Sequence, residues 1–280
     1  MKVKIVVDST VDLTPDVRGK VRTVPLAVRF GQEEYLDGIN INAVKFYEML
    51  EKAEQLPTTS QPTPAAFEDV FREAVEEGFE VVCITIASSL SGTYQSATIA
   101  AQEFPGKVFV VDSRSAAIGS GILTEYALQL ADQGKSGQEI LETLITARRQ
   151  IRLYFMVDTL EYLHKGGRLN GAVAVVGGLL NIKPILHVDE TGAIRMLSTA
   201  RGMKKAFSTL TQLSEAGAGP DFSRPAMLAY TGVSDENLSK YTEENTQLWG
   251  NTKSTIVGSA IGVHVGPGAV AVAYFASENQ

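Results

Sequence analysis

The sequence predicts an α/β protein: an N-terminal parallel-sheet α/β domain over residues 1–160 and a C-terminal α+β domain over 161–280. Three observations carry this expectation. In the first half, short and almost continuously apolar runs such as "KIVV" and "VVCITI" alternate with amphipathic stretches, as strands do when helices cover both faces of a parallel sheet. In the second half, apolar runs pair across a turn, as in "KPILHVDETGAIRMLS", which points to local antiparallel pairing. The length of 280 residues is long for one core, so two units are expected, with a boundary near 158–170.

The elements follow in order. "KIVVDST" is a strand, and "VRTVPLAVRF" holds another. "INAVKFYEMLEKAE" fits a helix. "LPTTSQPTP" reads as a stiff loop: Pro57, Pro62 and Pro64 hold it extended and leave Thr58, Thr59, Ser60 and Gln61 as a presented polar tip. "TPAAFEDVFREAVEEG" predicts a helix with Thr63 as N-cap, Pro64 at its first position and Gly78 past its end. "FEVVCITI" is a strand, and a helix opens near Gly92. The strand "KVFVVDS" precedes the helices "GILTEYALQLADQGK" and "GQEILETLITARRQ", and the strand "LYFMVD" closes the first unit.

In the second unit a hairpin turns at Glu190-Thr191-Gly192, followed by the helix "RGMKKAFSTLTQLSEAG". The strand "PAMLAYTG" and the helix "DENLSKYTEENTQLWG" come next. The last long uncharged stretch, "STIVGSAIGVHVGPGAVAVAYFAS", has the length of a membrane span. Its His264, Pro267 and Gly-Pro-Gly break predict two strands around a turn instead.

Composition narrows the function. Hydrophobic content of 44% with 20% charged residues fits an ordinary globular protein. A net charge of −7 without a Lys/Arg block argues against nucleic-acid binding. The single cysteine, Cys83, allows no internal disulfide and reads as a small buried hydrophobe. The N-terminus "MKVKIVVDST" lacks the apolar core of a signal peptide, so a cytoplasmic protein without stable membrane insertion is expected.

The chemistry concentrates at "ITIASSLSGTYQSA". Ser88, Ser89, Ser91, Thr93, Tyr94 and Ser96 begin where an apolar run stops. In a parallel sheet, ligands sit outside the carboxyl ends of the strands. A strand-to-helix turn there adds free N–H groups and the positive end of a helix dipole, a setting for an anion's oxygens. One or two of these hydroxyls are accounted for by capping.

His164, Lys165 and Arg168 surround two glycines, and residues 171–182 carry no charge. His264 stands beside the Gly-Pro-Gly turn, whereas His187 has no such context. The acids in "VDS" at Asp8 and Asp112 and "VDT" at Asp158 read as turn and capping residues. Phosphate loops, a dinucleotide fingerprint, a nucleophile elbow and metal-ligand spacing are absent from the sequence. A polar pocket without an evident catalytic base, beside apolar glycine-rich segments, favours a binder of an amphiphile over an enzyme. The competing expectation is a serine hydrolase of acyl esters with Ser91 as nucleophile and His264 as base. A scaffold with no small ligand is the third.

These stretches resemble the DegV family of bacterial fatty-acid-binding proteins. The matching pieces are "VDSTVDL", "PTTSQPTPAAF", "SSLSGTYQSA", "DTLEYLHKGGRL", "KPIL" and "HVGPGAVAV", in family order along almost the whole chain. The resemblance implies a long-chain fatty acid in a tunnel between the two domains, with no other cofactor and no metal. It implies a partner, a fatty-acid kinase, that phosphorylates the bound acid for phospholipid synthesis, so that this chain is carrier rather than enzyme. By motif it places the carboxylate on Thr59 and Ser91, with Ser60, Gly92, Thr93, Arg168 and His264 in a second layer around the head group. It suggests Arg201 for kinase docking, although "STARGMKKA" departs from the more basic run common in the family.

Overall fold

The computed structural model describes residues 2–169, 181–217 and 219–277. From the N-terminus, β1 (Val3–Asp8) leads through α1 (Pro15–Arg18) to β2 (Arg22–Val24), β3 (Ala27–Phe30) and β4 (Glu33–Leu36). Then follow α2 (Ala43–Leu50), β5 (Thr58–Ser60), α3 (Pro64–Glu76), β6 (Glu80–Thr85), α4 (Thr93–Ala101), β7 (Val108–Asp112), α5 (Ala117–Asp132) and α6 (Gly137–Ala147). A 3-10 turn at Arg148–Gln150 precedes β8 (Ile151–Met156), α7 (Glu161–Lys165), β9 (Ile182–Val188), β10 (Ile194–Arg201) and α8 (Met203–Glu215). The chain ends with β11 (Ala226–Tyr230), α9 (Glu236–Glu244), α10 (Thr246–Trp249), β12 (Lys253–Ile256), α11 (Ser259–Val265) and β13 (Val270–Phe275).

Three sheets result. A parallel sheet runs β2-β1-β6-β7, a mixed one β10-β9-β8-β13-β11-β12, and a small antiparallel one β4-β3-β5. The expected α/β class is therefore present: a parallel sheet followed by a further, largely antiparallel sheet with its own helices. Helix α5 lies between the two large sheets, packing on β1 on one side and on β8, β11 and β13 on the other. This explains why Ile118, Ile122, Leu123 and Leu130 are all buried although they do not share one helical stripe. Gly121 permits the contact, because a Cβ there would lie 2.2 Å from the Asp12 carbonyl oxygen.

The Thr63 cap forms as expected, its Oγ1 accepting the Ala66 N–H at 3.3 Å, with Pro64 opening α3. The hairpin of β9 and β10 also forms, with a register shift between Met196 and Ser198.

Three elements differ from expectation. The strand "LYFMVD" does not join the parallel sheet. As β8 it pairs antiparallel with β13 (Phe155 opposite Ala271) and with β9 (Tyr154 opposite His187), because α5 and α6 carry the chain across to the second sheet. Sheet membership thus changes a few residues before position 160. The tip "TTS" is strand β5, since β3 supplies its backbone partners, with Val28 opposite Thr59.

The third difference is at the C-terminus, where the glycine-rich stretch is strand–helix–strand rather than a strand pair. Asp37 accepts the N–H groups of Ser259 and Ala260, each at 3.2 Å, and Asp12 accepts that of Gly258 at 2.7 Å. These carboxyl oxygens satisfy free N–H groups at the start of α11. A cap supplied from 222 positions away leaves no local signal.

Candidate functional site

A pocket holding about 820 Å³ of empty space, part of it open to solvent, lies among the three sheets. Ile86, Leu90, Ala116 and Ala117 come from the ends of the parallel strands and the start of α5. Leu153, Phe155, Val188, Ile194, Ala229 and Ala271 come from the six-stranded sheet, and Ala260, Ile261 and Val265 from α11. Thr59, Ser91, Arg168 and His264 also line it. The wall is predominantly apolar, with Thr10, Tyr230 and Thr231 as its other polar side chains.

Each is positioned by a different element. Thr59 is the central residue of β5, where alternation turns it inward and leaves Thr58 and Ser60 exposed. Its Oγ1 lies 2.9 Å from His264 Nε2 on α11. His264 Nδ1 is buried with no hydrogen-bond partner. Burial, and secondarily the Arg168 guanidinium, lower the His264 imidazole from an ordinary 6.5 to about 4, so the ring is neutral near neutrality.

Arg168 follows α7. Its Nε donates to the Leu90 carbonyl at 3.3 Å and its Nη1 to the Gly166 carbonyl at 2.6 Å, tying it to the loop that carries Ser91. Ser91 Oγ lies 2.9 Å from Thr93 Oγ1 and accepts the Thr93 N–H at 3.3 Å. Gly92 brings the two hydroxyl-bearing segments together, because a Cβ there would strike Gln61 Oε1 at 2.2 Å.

The hydroxyl cluster thus divides by task. Ser88 Oγ donates to Asp112 at 2.6 Å, Ser96 accepts from Gln61 at 3.1 Å, and Thr93 holds Ser91. Of the six hydroxyls, Ser91 alone lines the cavity. Among the residues expected around a head group, Thr59, Ser91, Arg168 and His264 come together. Gly92 and Thr93 lie behind Ser91, and Ser60 points away.

No hydrogen bond joins Ser91 to His264: His264 Nε2 meets Thr59 Oγ1, Nδ1 has no partner, and Ser91 Oγ meets Thr93 Oγ1. The nucleophile–base pair of the hydrolase expectation is not formed. Arg201 is exposed at the end of β10, with Lys204 and Lys205 exposed on the first turn of α8. The uncharged segment 171–182 falls outside the described residues except for Asn181 and Ile182. Among the described residues, no group of three or more His, Cys, Asp or Glu side chains is placed to hold a metal, and no helix is long and apolar enough to cross a membrane.

The buried acids beneath α11 were not expected from the sequence. Asp12 and Asp37 are almost fully buried, and burial raises both carboxyl groups, Asp12 to about 8. The one signal for them was the presence of Asp12 within "VDSTVDL".

The DegV family model, described as an uncharacterised protein family, matches residues 2–277. The chain belongs to the DegV family. A DegV domain-containing protein of Deinococcus radiodurans is 38% identical to this DegV chain over 280 residues, covering 98% of each chain. A DegV family protein from Thermus thermophilus, described for its fatty-acid binding, superposes with a TM-score of 0.88 at 36% identity, over 99% of this chain and 100% of that one. DegV from Bacillus subtilis, described as a fatty-acid-binding protein, gives a TM-score of 0.84 at 31% identity, over 99% and 100%.

Proposed function

We propose that this DegV chain binds a long-chain fatty acid in the cavity, with the carboxylate on Thr59 and Ser91 and the tail along the apolar wall. The observation that carries the proposal is that Thr59, Ser91, Arg168 and His264 all line one predominantly apolar cavity, with Thr59 bonded to His264 and Arg168 tied to the loop that carries Ser91. Similarity to DegV proteins described as fatty-acid-binding supports it. The proposal places the ligand between a domain of residues 1–160 and one of 161–280.

A carboxylate removed from water needs hydrogen bonds to stay ionised. If His264 Nε2–H donates to Thr59 Oγ1, the threonine proton is released toward the ligand. In that tautomer Nδ1 carries the lone pair, and Nδ1 is buried with no hydrogen-bond partner. Ser91 offers a second neutral donor, and Arg168, committed to two carbonyl groups, supplies charge without a tight pair. Affinity comes from the tail. About fourteen methylenes at roughly 0.8 kcal/mol each offer about 11 kcal/mol before association costs.

Neutral donors suit a carboxylate that must later react. Hydroxyls can rotate away, whereas a bidentate arginine would hold the lone pairs that attack phosphorus. The proposal therefore includes presentation of the acid to a cytoplasmic fatty-acid kinase, with Arg201 at the docking surface and no cofactor on this chain. Arg201→Ala should leave fatty-acid affinity unchanged and weaken acyl-phosphate formation, with salt reducing wild-type coupling as well. Wild-type turnover by the variant at every salt concentration would remove Arg201 from the proposal. The head-group assignment is tested by titrating delipidated protein with palmitic acid and with its methyl ester. The acid should bind more tightly, and equal affinity would overturn it.

A further inference from the structure

A second hollow, with about 790 Å³ of empty space that is partly open to solvent, adjoins the first. Leu153 and Val188 line both, so these two side chains form a shared wall. The second lining is of another kind: Arg114, Arg148, Arg149 and Arg152 converge there, in a chain of net charge −7. They come from two segments: the turn after β7, and the 3-10 turn with the first residues of β8. Asp112, at the end of β7, joins them. Its carboxylate accepts the Arg114 N–H at 2.9 Å, and its carbonyl accepts from Arg148 Nη1. This is the carboxyl end of a parallel strand, where such sheets place ligands.

The arginines are not there to pair with acids. Among the described residues, none of the four forms an ion pair. Asp189, in the same lining, is paired instead with Arg195 at 2.9 Å. Glu190 contributes a backbone carbonyl, 3.5 Å from Arg114 Nη1. Arg152 Nη1 reaches only the carbonyls of Arg149 and Ile151, at 3.0 and 3.1 Å. Arg148 Nε is buried with no partner. Arg114 holds a left-handed backbone at φ +50°, uncommon for a residue with a side chain. Burial, followed by the charge of Arg114, lowers the Arg148 guanidinium, and the nearby Asp112 carboxylate only partly offsets them. Solvated surface arginines would account for neither the buried Nε nor the convergence on one hollow.

Guanidinium groups present forked N–H donors that match the oxygens of a tetrahedral oxyanion. The stacked rings of Tyr154 and His187, with centroids 6.2 Å apart and planes at 19°, stand in the same lining and add an aromatic surface. We propose that this hollow is an anion site for a phosphate group, either free or carried as the monoester of a small organic molecule. It is distinct from the cavity of Thr59 and Ser91 and touches it only through Leu153 and Val188.

The test is calorimetric titration of the full chain at fixed ionic strength with inorganic phosphate and with phenyl phosphate. Saturable binding with Kd on the order of 1 mM or tighter is expected. Tighter binding of phenyl phosphate would identify a monoester as the ligand, and equal binding would identify free phosphate. Arg149→Gln combined with Arg152→Gln should weaken binding at least tenfold and leave palmitic-acid affinity unchanged. Absence of saturation for both probes, or unchanged affinity in a folded double variant, overturns the proposal. If the double variant does not fold, phenylglyoxal labelling of wild-type protein decides. Phosphate should slow labelling of Arg114, Arg149 and Arg152 but not of exposed Arg201, and uniform labelling refutes the site.

Discussion

Acidification should expose the burial of His264 as a loss of stability. The imidazole is lowered from 6.5 to about 4 in the fold, by burial first and Arg168 second. Between these values the unfolded chain binds a proton that the folded chain does not, so stability falls as pH falls through this window and levels off below it. Each pH unit crossed inside the window costs about 1.4 kcal/mol, so going from about pH 7.5 to about pH 4.5 removes about 2.5 kcal/mol through this residue alone. The assay is urea unfolding of delipidated wild type and His264→Leu at both pH values, followed by the fluorescence of Trp249. Other titrating groups contribute to both proteins, so the difference between the two pH responses isolates His264. Wild type should lose about 2.5 kcal/mol more than the variant. Parallel responses would refute a buried neutral histidine at this position.

Three further outcomes follow from the same geometry. Ser91→Ala and Thr59→Ala each remove a hydrogen bond to a charged acceptor, and each should weaken palmitic-acid binding by about 1.5–3 kcal/mol, read by calorimetry. Asp12→Asn keeps an acceptor for the Gly258 N–H and removes ionisation. Because the folded carboxyl is raised to about 8, wild type loses stability as pH rises from about 4 to about 8, so the stability gap in favour of the variant should widen over that range in urea unfolding. Ala271→Phe fills the wall opposite Phe155 and should shorten the longest fatty acid accepted, at about 1–3 kcal/mol for chains that reach it, measured by competition across chain lengths.

What was legible in the sequence follows from where the stabilising partners lie. Helix α3 carries its own cap in Thr63 and Pro64, so local pattern sufficed. The hairpin of β9 and β10 likewise carries its own turn. Helix α11 did not, because its cap is the carboxylate of Asp37. Strand β5 spans three residues and owes its form to β3. For the site, Thr59, Ser91, Arg168 and His264 could be named singly from their motifs. No local pattern shows that they meet, since Thr59 and His264 stand 205 positions apart; that expectation came only through the family resemblance. The hydroxyl count at 88–96 overstated the binding role, because Asp112 and Gln61 engage Ser88 and Ser96 from other elements. The four arginines of the second hollow were invisible because Arg114 and the 148–152 segment meet only in the fold.

The most direct measurement of the central claim is denaturation of the purified chain, extraction with organic solvent and quantitative mass spectrometry of the extract. The account predicts a long-chain fatty acid in amounts approaching one per chain, reduced in protein carrying both Thr59→Ala and Ser91→Ala. A chain that yields no lipid and stays empty after incubation with palmitic acid would contradict it.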